Sequence, residues 1–360
     1  MSIAGAAPGG TISSMARRAV GSNQYKTRVG SPDVQTPDVD LMGQAQGLNI
    51  EQRRVIAVNP STPPETLAQL AGDKDWHVRI GVAQNPHTPP GTLVQLARDE
   101  KWDVRMWAAQ NPNIPPGTLA QLAGDEDEDV WEGVAKNPNT PLDTLVQLAV
   151  DEKWVVRRAA AQNPNIPPET LAQLEQDNRW EVREAVAKNP NISHDALVRL
   201  LADDVVGVRR GVALNDHCPP QVLVRLLADE DADVRAEVAQ NPSCPPAALV
   251  QLAGDRHERV RLTVAHNPNT PPDILVQLAG DEDWDVRWDV AHNPNTPPET
   301  LARLAGDRHK VVRTGVAQNT ATPAQVLAQL LADEDGAVRA VALKNPNLPE
   351  EYRQLGRVAQ

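Results

Sequence analysis

The loop "GDEDEDV" sets Asp125, Asp127 and Asp129 at alternate positions, the oxygen-donor pattern of part of a calcium loop. It lacks the glycine turn and the bidentate Glu that would complete such a loop, and carboxylates before a helix are favoured by its dipole in any case. His266 and His292 occupy equivalent positions 26 residues apart, and so do Cys218 and Cys244. Neighbouring helices lie about 8–10 Å apart, so each pair offers two ligands with no third evident. Two cysteines exclude a disulfide framework and a four-thiolate metal site within one chain. No Gly-rich phosphate loop, His-Glu-x-x-His or nucleophile elbow is present. The expectation is therefore no catalytic residue, no metal and no cofactor.

What remains is the chemistry of recognition. Trp76, Trp102, Trp154, Trp180 and Trp284 share one position of a repeating pattern, with Trp107 and Trp288 close by. Trp is enriched at interface hot spots, which makes these seven the candidate partner surface. The competing reading has the same rings lying over the next repeat as ordinary edge packing.

The elements that position them repeat without interruption. Asn recurs every 26 residues from Asn59 to Asn345, in most repeats in the setting of a decapeptide such as "HNPNTPPETL". In the same register run Leu67 and Leu70 through to Leu327 and Leu330, Asp73 to Asp333, and Val78 to Val338. An Arg follows that Val from Arg79 to Arg339, with Trp131 the one replacement. Self-similarity at such a period marks a solenoid. Each unit reads as two short helices. Thr296 is placed to cap the first, with prolines in its first turn and Glu299 in capping-box position. Gly306 ends it, Asp307 opens the second, and in most repeats Asn-Pro stops the second, Asn being tolerant of a left-handed cap and averse to helical geometry before Pro. Helices of about two turns are unstable alone, so stacking must supply the stability.

The fixed polar residues read as structural. On a helical wheel the Arg falls inside the apolar arc, where an unpaired charge is very costly. The Asp six residues earlier is its candidate partner, from its own or the adjacent repeat. Asp73, Arg79, Asn85 and Asp281, Arg287, Asn293 exemplify such a ladder, the Asn amide serving turn backbone groups. The positions of Trp76, His77, Ile80 and Gln84 vary between repeats and cluster away from the core.

The pattern "VRxxVAxNPxTPPxxLxxLAxD" resembles the leucine-rich variant repeat of bacterial proteins, related in style to HEAT repeats. The resemblance covers residues 36–358 and implies an all-α, right-handed superhelix of paired short helices, one of each pair partly 3₁₀, with a non-enzymatic interaction role. That family's best-known pattern has an N-terminal cysteine cluster for an iron–sulfur centre. Here Cys218 and Cys244 lie mid-array, so the cluster is not carried over.

The expected organisation is a basic, disordered tail over 1–35, a degenerate first repeat over 36–58, regular repeats to about 344, and a half-repeat cap over 345–360. In the tail Arg17, Arg18, Lys26 and Arg28 against Asp33 give +3, leaving -16 of the net -13 to the array. With Tyr25 they form a candidate recognition segment, for a partner or for the array itself; the plainer reading is a solubilising extension. No signal peptide or 18-residue apolar span is evident. The acidic balance argues against a membrane-surface or general nucleic-acid binder. The expectation is a cytoplasmic, non-enzymatic scaffold for a protein or peptide of basic character. A nucleic-acid-binding HEAT-like solenoid is the alternative, and it would need a basic stripe on one face.

Overall fold

The computed structural model describes residues 48–353, and all of its regular structure is helical. Each repeat contributes a first helix of mostly seven residues, such as Pro64–Leu70, and a second of mostly nine, such as Trp76–Gln84. Both are α-helical. The 3₁₀ geometry implied for one of them is confined, among the described residues, to Leu226–Ala228, which continues the first helix Pro220–Arg225.

The caps differ from the expected ones. No first helix is capped by its Thr. The N-cap residue is the proline after it, Pro297 for the helix Pro298–Leu304, with no side-chain bond and no capping box; the exception is the helix His194–Leu200, where Ser193 accepts from the Ala196 N–H at 3.2 Å. Thr296 turns the other way: its Oγ1 donates to the Val290 carbonyl at 2.5 Å, sealing the end of the preceding second helix. The same bond recurs at Thr88, Thr140, Thr270 and Thr322. A helix leaves its last four carbonyls without intrahelical partners, and the hydroxyl is close enough to satisfy one. The fixed Asp also stands outside its helix. The N-cap lies two residues later, at His309 rather than Asp307, and Asp307 Oδ1 accepts from the His309 N–H in an Asx turn. Nor is the Asn cap left-handed: Asn293 has φ -64 and ψ 127, and no described residue has positive φ. The following Pro forces that extended backbone.

The helices form two rows. Each second helix packs directly on the second helix of the next repeat, whereas consecutive first helices scarcely touch. Most first helices lie against the second helices both before and after them. The Val and Leu positions fill the space between the rows: Leu67, Val78, Val82, Leu93, Leu301 and Val312 are completely buried. Glycines set the closest approach of the second helices. A Cβ on Gly81 would sit 2.9 Å from the Ala57 Cβ, and one on Gly211 3.0 Å from the Ala187 Cβ. Neither contact is sterically tolerable without movement, so these residues are small because a neighbouring helix occupies the space.

Candidate interaction face

Two ladders run through the array. Arg157 Nε and Nη2 donate to Asp177 Oδ2 and Oδ1 of the next repeat at 2.6 and 2.9 Å. Its Nη1 donates to the carbonyl of its own repeat's Asp151 at 2.8 Å. One guanidinium therefore ties two repeats, the fork geometry that planar Arg offers a carboxylate. Ten such forks span the described chain, beginning at Arg53–Asp73. Arg79 pairs with Asp99, Asp281 receives Arg261, and Arg287 pairs with Asp307. Burial alone would raise the Asp177 carboxyl; the Arg157 fork and the Arg179 N–H outweigh it and hold it below the usual carboxylate range. Asp125, Asp203, Asp229, Asp255, Asp281 and Asp307 are held low in the same way.

The second ladder is amide to carbonyl. Asn215 Nδ2 donates to the Ala187 and Asn189 carbonyls of the preceding repeat at 2.7 and 3.0 Å, and its Oδ1 accepts from the His217 N–H at 2.8 Å. Asn85 and Asn293 make the same bonds. These Asn residues are almost completely buried.

The Arg ladder has one gap. Trp131 fills the Arg position, nine-tenths buried, with an indole N–H that finds no acceptor. The Lys153 ammonium lies 4.0 Å above its ring. The Asp151 carboxylate consequently receives no fork from the preceding repeat, and its Oδ1 accepts the Lys153 backbone N–H.

The constant residues are thus spent internally, and variation falls on the outward face of the second helices. Trp102, Trp180 and Trp284 are about two-fifths exposed there. Trp76, Trp107, Trp154 and Trp288 are half-buried against the core. The rings lean on neighbours as well as on solvent. Trp180 covers Gly207 of the next repeat, Trp284 stacks on His309 at 4.1 Å, and Arg179 lies 4.8 Å over Trp154. Trp76 stacks on its own His77 at 3.8 Å, and Trp288 tilts against His292 at 4.3 Å. The seven therefore fall on second helices as two kinds of member, exposed edges and packed supports, with Trp107 at the position of Gly81.

The other candidates separate. Asp125 is taken by Arg105 and Asp127 caps its helix through the Asp129 N–H. No group of three or more His, Cys, Asp or Glu among the described residues is placed to hold a metal. Cys218 and Cys244 occupy the buried Thr position, where burial pushes their thiols up to about 12 and about 11, so they do not fit an iron–sulfur centre. Arg17, Arg18, Tyr25, Lys26 and Arg28 lie outside the described residues.

One position escaped sequence reasoning. The position of Gly81 faces the preceding second helix, and later repeats place Glu237 and Asp289 there, both buried. Arg210 reaches Glu237 at 2.7 Å, and His266 Nδ1 lies 3.1 Å from Asp289. Burial pushes the Asp289 carboxyl up, with His266 pulling it down less strongly. The recurrence of Gly at 81, 133, 211 and 315 was the available signal of a close approach.

Two helix rows cross-linked by these ladders define an α-helical repeat solenoid. The chain belongs to the leucine-rich repeat variant family: the model described as "Leucine rich repeat variant" matches residues 76–101, 102–127, 154–177, 180–205, 232–257, 258–283 and 284–309. The stretch 128–153, which holds Trp131, is among those it skips. Among solved structures the chain is similar to "a leucine-rich repeat variant with a novel repetitive protein structural motif". The identity is 28%, covering 62% of this chain and 88% of that one, with a TM-score of 0.48. An importin beta structure matches at 12% identity, over 78% of this chain and 50% of that one, with a TM-score of 0.34. No curated protein matches the chain. No helix among the described residues is long and apolar enough to cross a membrane.

Proposed function

We propose that this solenoid is a non-catalytic scaffold that binds a protein or peptide on the variable face of its second helices. The observation that carries this reading is the division of labour between positions. The fixed Asp, Arg and Asn are consumed by bonds between repeats, while exposed Trp edges are gathered on one face. Partly exposed aromatics on a rigid support are what a protein interface uses as anchors. The forked arginines are already neutralised by carboxylates, which weakens the nucleic-acid alternative by removing ten cations from any basic stripe.

Photo-crosslinking tests the reading. A benzoylphenylalanine at Ile80, Arg158 or Leu262 samples the second-helix face, and one at Val146 or Val250 samples exposed sites on first helices. Protein adducts that form from the first three positions and not from the last two support the assignment. Adducts confined to Val146 and Val250, or to nucleic acid, refute it.

A further inference from the structure

The second-helix face is not uniform along the array, and the difference points to a partner. In the carboxy-terminal half its charges bond across repeats. Arg210 meets Glu237, Arg259 meets Asp233, and Lys310 meets Asp335 at 3.0 Å. At the amino-terminal end the positions of Lys310 and Arg210 turn largely apolar, while Glu51, His77 and Asp103 keep the position of Arg259 polar and Arg54 pairs with Glu51. Ile50, Trp76 and Trp102 occupy one position on three successive second helices, Ile50–Val58, Trp76–Gln84 and Trp102–Gln110. Val55 and Trp107 share the position of Gly81, which packs against Ala57 and Val58 in the repeat between them, and Val58, Ile80 and Met106 lie on the same three helices. Ile50, Val55 and Val58 are each nearly half exposed, an unusual density of large aliphatics open to solvent on one helix. Asp103 and then Glu132 border the patch on its carboxy-terminal side. The one lysine of the helix Glu128–Lys136, Lys136, is bonded to Glu132 at 2.7 Å. Burial, with Asp127 adding to it, pushes the Asp103 carboxyl up more strongly than His77 and Lys101 pull it down, so a further cation brought beside it would be welcome.

Resting on the scaffold reading above, we propose that the patch from Ile50 to Trp107 docks an amphipathic helix of a partner protein, apolar along one side and basic at the end that meets Asp103 and Glu132. Three helices at about 8–10 Å spacing make a patch roughly 20 Å across, which about four turns of a partner helix would cover. Anchors recurring every seven residues, about 10 Å apart at 1.5 Å per residue, would then match the spacing of the three successive ridges. A second copy of this chain is the poorer occupant, because it brings the same acidic border and a net charge of -13.

The probe is a synthetic Leu/Lys peptide of helical periodicity, about 18 residues long, with its lysines at one end, titrated against the full chain by fluorescence anisotropy. A Leu/Glu twin is titrated in parallel. Saturable binding of the Leu/Lys peptide is expected. Ile50→Asn with Trp102→Ala should weaken it at least tenfold, while Trp284→Ala, on the same face but remote, should leave it within twofold; circular dichroism checks that each variant is folded. Equal binding of the Leu/Glu twin overturns the basic end. Equal loss in Trp284→Ala, or no loss in the double variant, overturns the location, while crosslinks from Arg158 or Leu262 would still uphold the wider scaffold reading. Absence of peptide binding overturns the proposal. So does a photo-crosslinker at position 102 that captures residues 1–47 of its own chain or a second copy in place of the peptide.

Discussion

Removing one carboxylate from the Arg ladder should cost far more where a guanidinium answers it than where none does. Asp177→Ala and Asp151→Ala make that comparison within one molecule. Both carboxylates accept the backbone N–H two residues on, at 2.9 and 2.8 Å. Only Asp177 also receives a fork, from Arg157, with the two side chains 8% and 14% exposed. Loss of the shared turn bond should cost about 1 kcal/mol in each variant. Asp177→Ala additionally deletes two charge-assisted bonds and strands a mostly buried guanidinium. The full penalty for such a stranded charge is about 3–5 kcal/mol, and it is lower here because Arg157 keeps its bond to the Asp151 carbonyl and some solvent. The expected difference between the two variants is about 2–3 kcal/mol. Urea unfolding gives the midpoints, and native-state hydrogen exchange of the helices Trp154–Gln162 and Trp180–Lys188 localises the loss. Equal destabilisation would refute the claim that the forks, rather than the Asx turns, hold neighbouring repeats together.

Truncating the amide ladder at Asn215→Ala leaves the buried Ala187 and Asn189 carbonyls unanswered, and should lower stability by about 2–3 kcal/mol; an unchanged melting temperature contradicts it. Acid should unfold the array late. The fork carboxylates titrate below their unfolded value of about 3.9, so their contribution is complete above that pH and is lost as pH falls through the lower folded values. A stability profile followed by far-UV circular dichroism that collapses near pH 6 would place the weakness in the histidines instead. Asp289 has the opposite sign: its folded carboxyl titrates high, so its charge is a burden that grows as pH rises. Asp289→Asn should therefore raise the melting temperature at pH 8 more than at pH 4, and the reverse order would count against burial as the cause.

The period and the two-helix unit were legible because each rests on local chemistry repeated many times. Leu67 and Leu70 set one apolar stripe, Val78 and Val82 another, and Pro punctuates both helices. The pairing of Asp with Arg was legible as chemistry but not as connectivity. In a perfect repeat a carboxylate six residues before an Arg and one twenty residues after it recur equally often. Only the fold decides that Arg79 takes the carboxylate of Asp99 and merely the carbonyl of Asp73. Cap assignment failed for a related reason. Thr296 has the residue type of an N-cap, but the extended Pro297 intervenes, and the hydroxyl instead meets the Val290 carbonyl across the turn. The position of Gly81 was opaque because its occupants range from Gly to Trp to Asp; what they share is a neighbouring helix, which no single residue type announces. On the variable face, the sequence distinguished the Trp position from the fixed ones. It did not distinguish an exposed edge such as Trp102 from a packed support such as Trp107.

The ladders also bear on how such a gene can grow. An Arg that must find a carboxylate twenty residues ahead, and an Asn that must find carbonyls 26 and 28 residues behind, measure chain length as strictly as a comb measures its teeth. Duplicating or deleting a whole 26-residue block rejoins every bond to an equivalent partner. Adding one residue between an Arg and the Asp it forks breaks that fork and an amide bridge at once. The array is free to change its length and bound to keep its pitch, and eleven consecutive intervals of 26 between Asn59 and Asn345 are the trace such a constraint would leave.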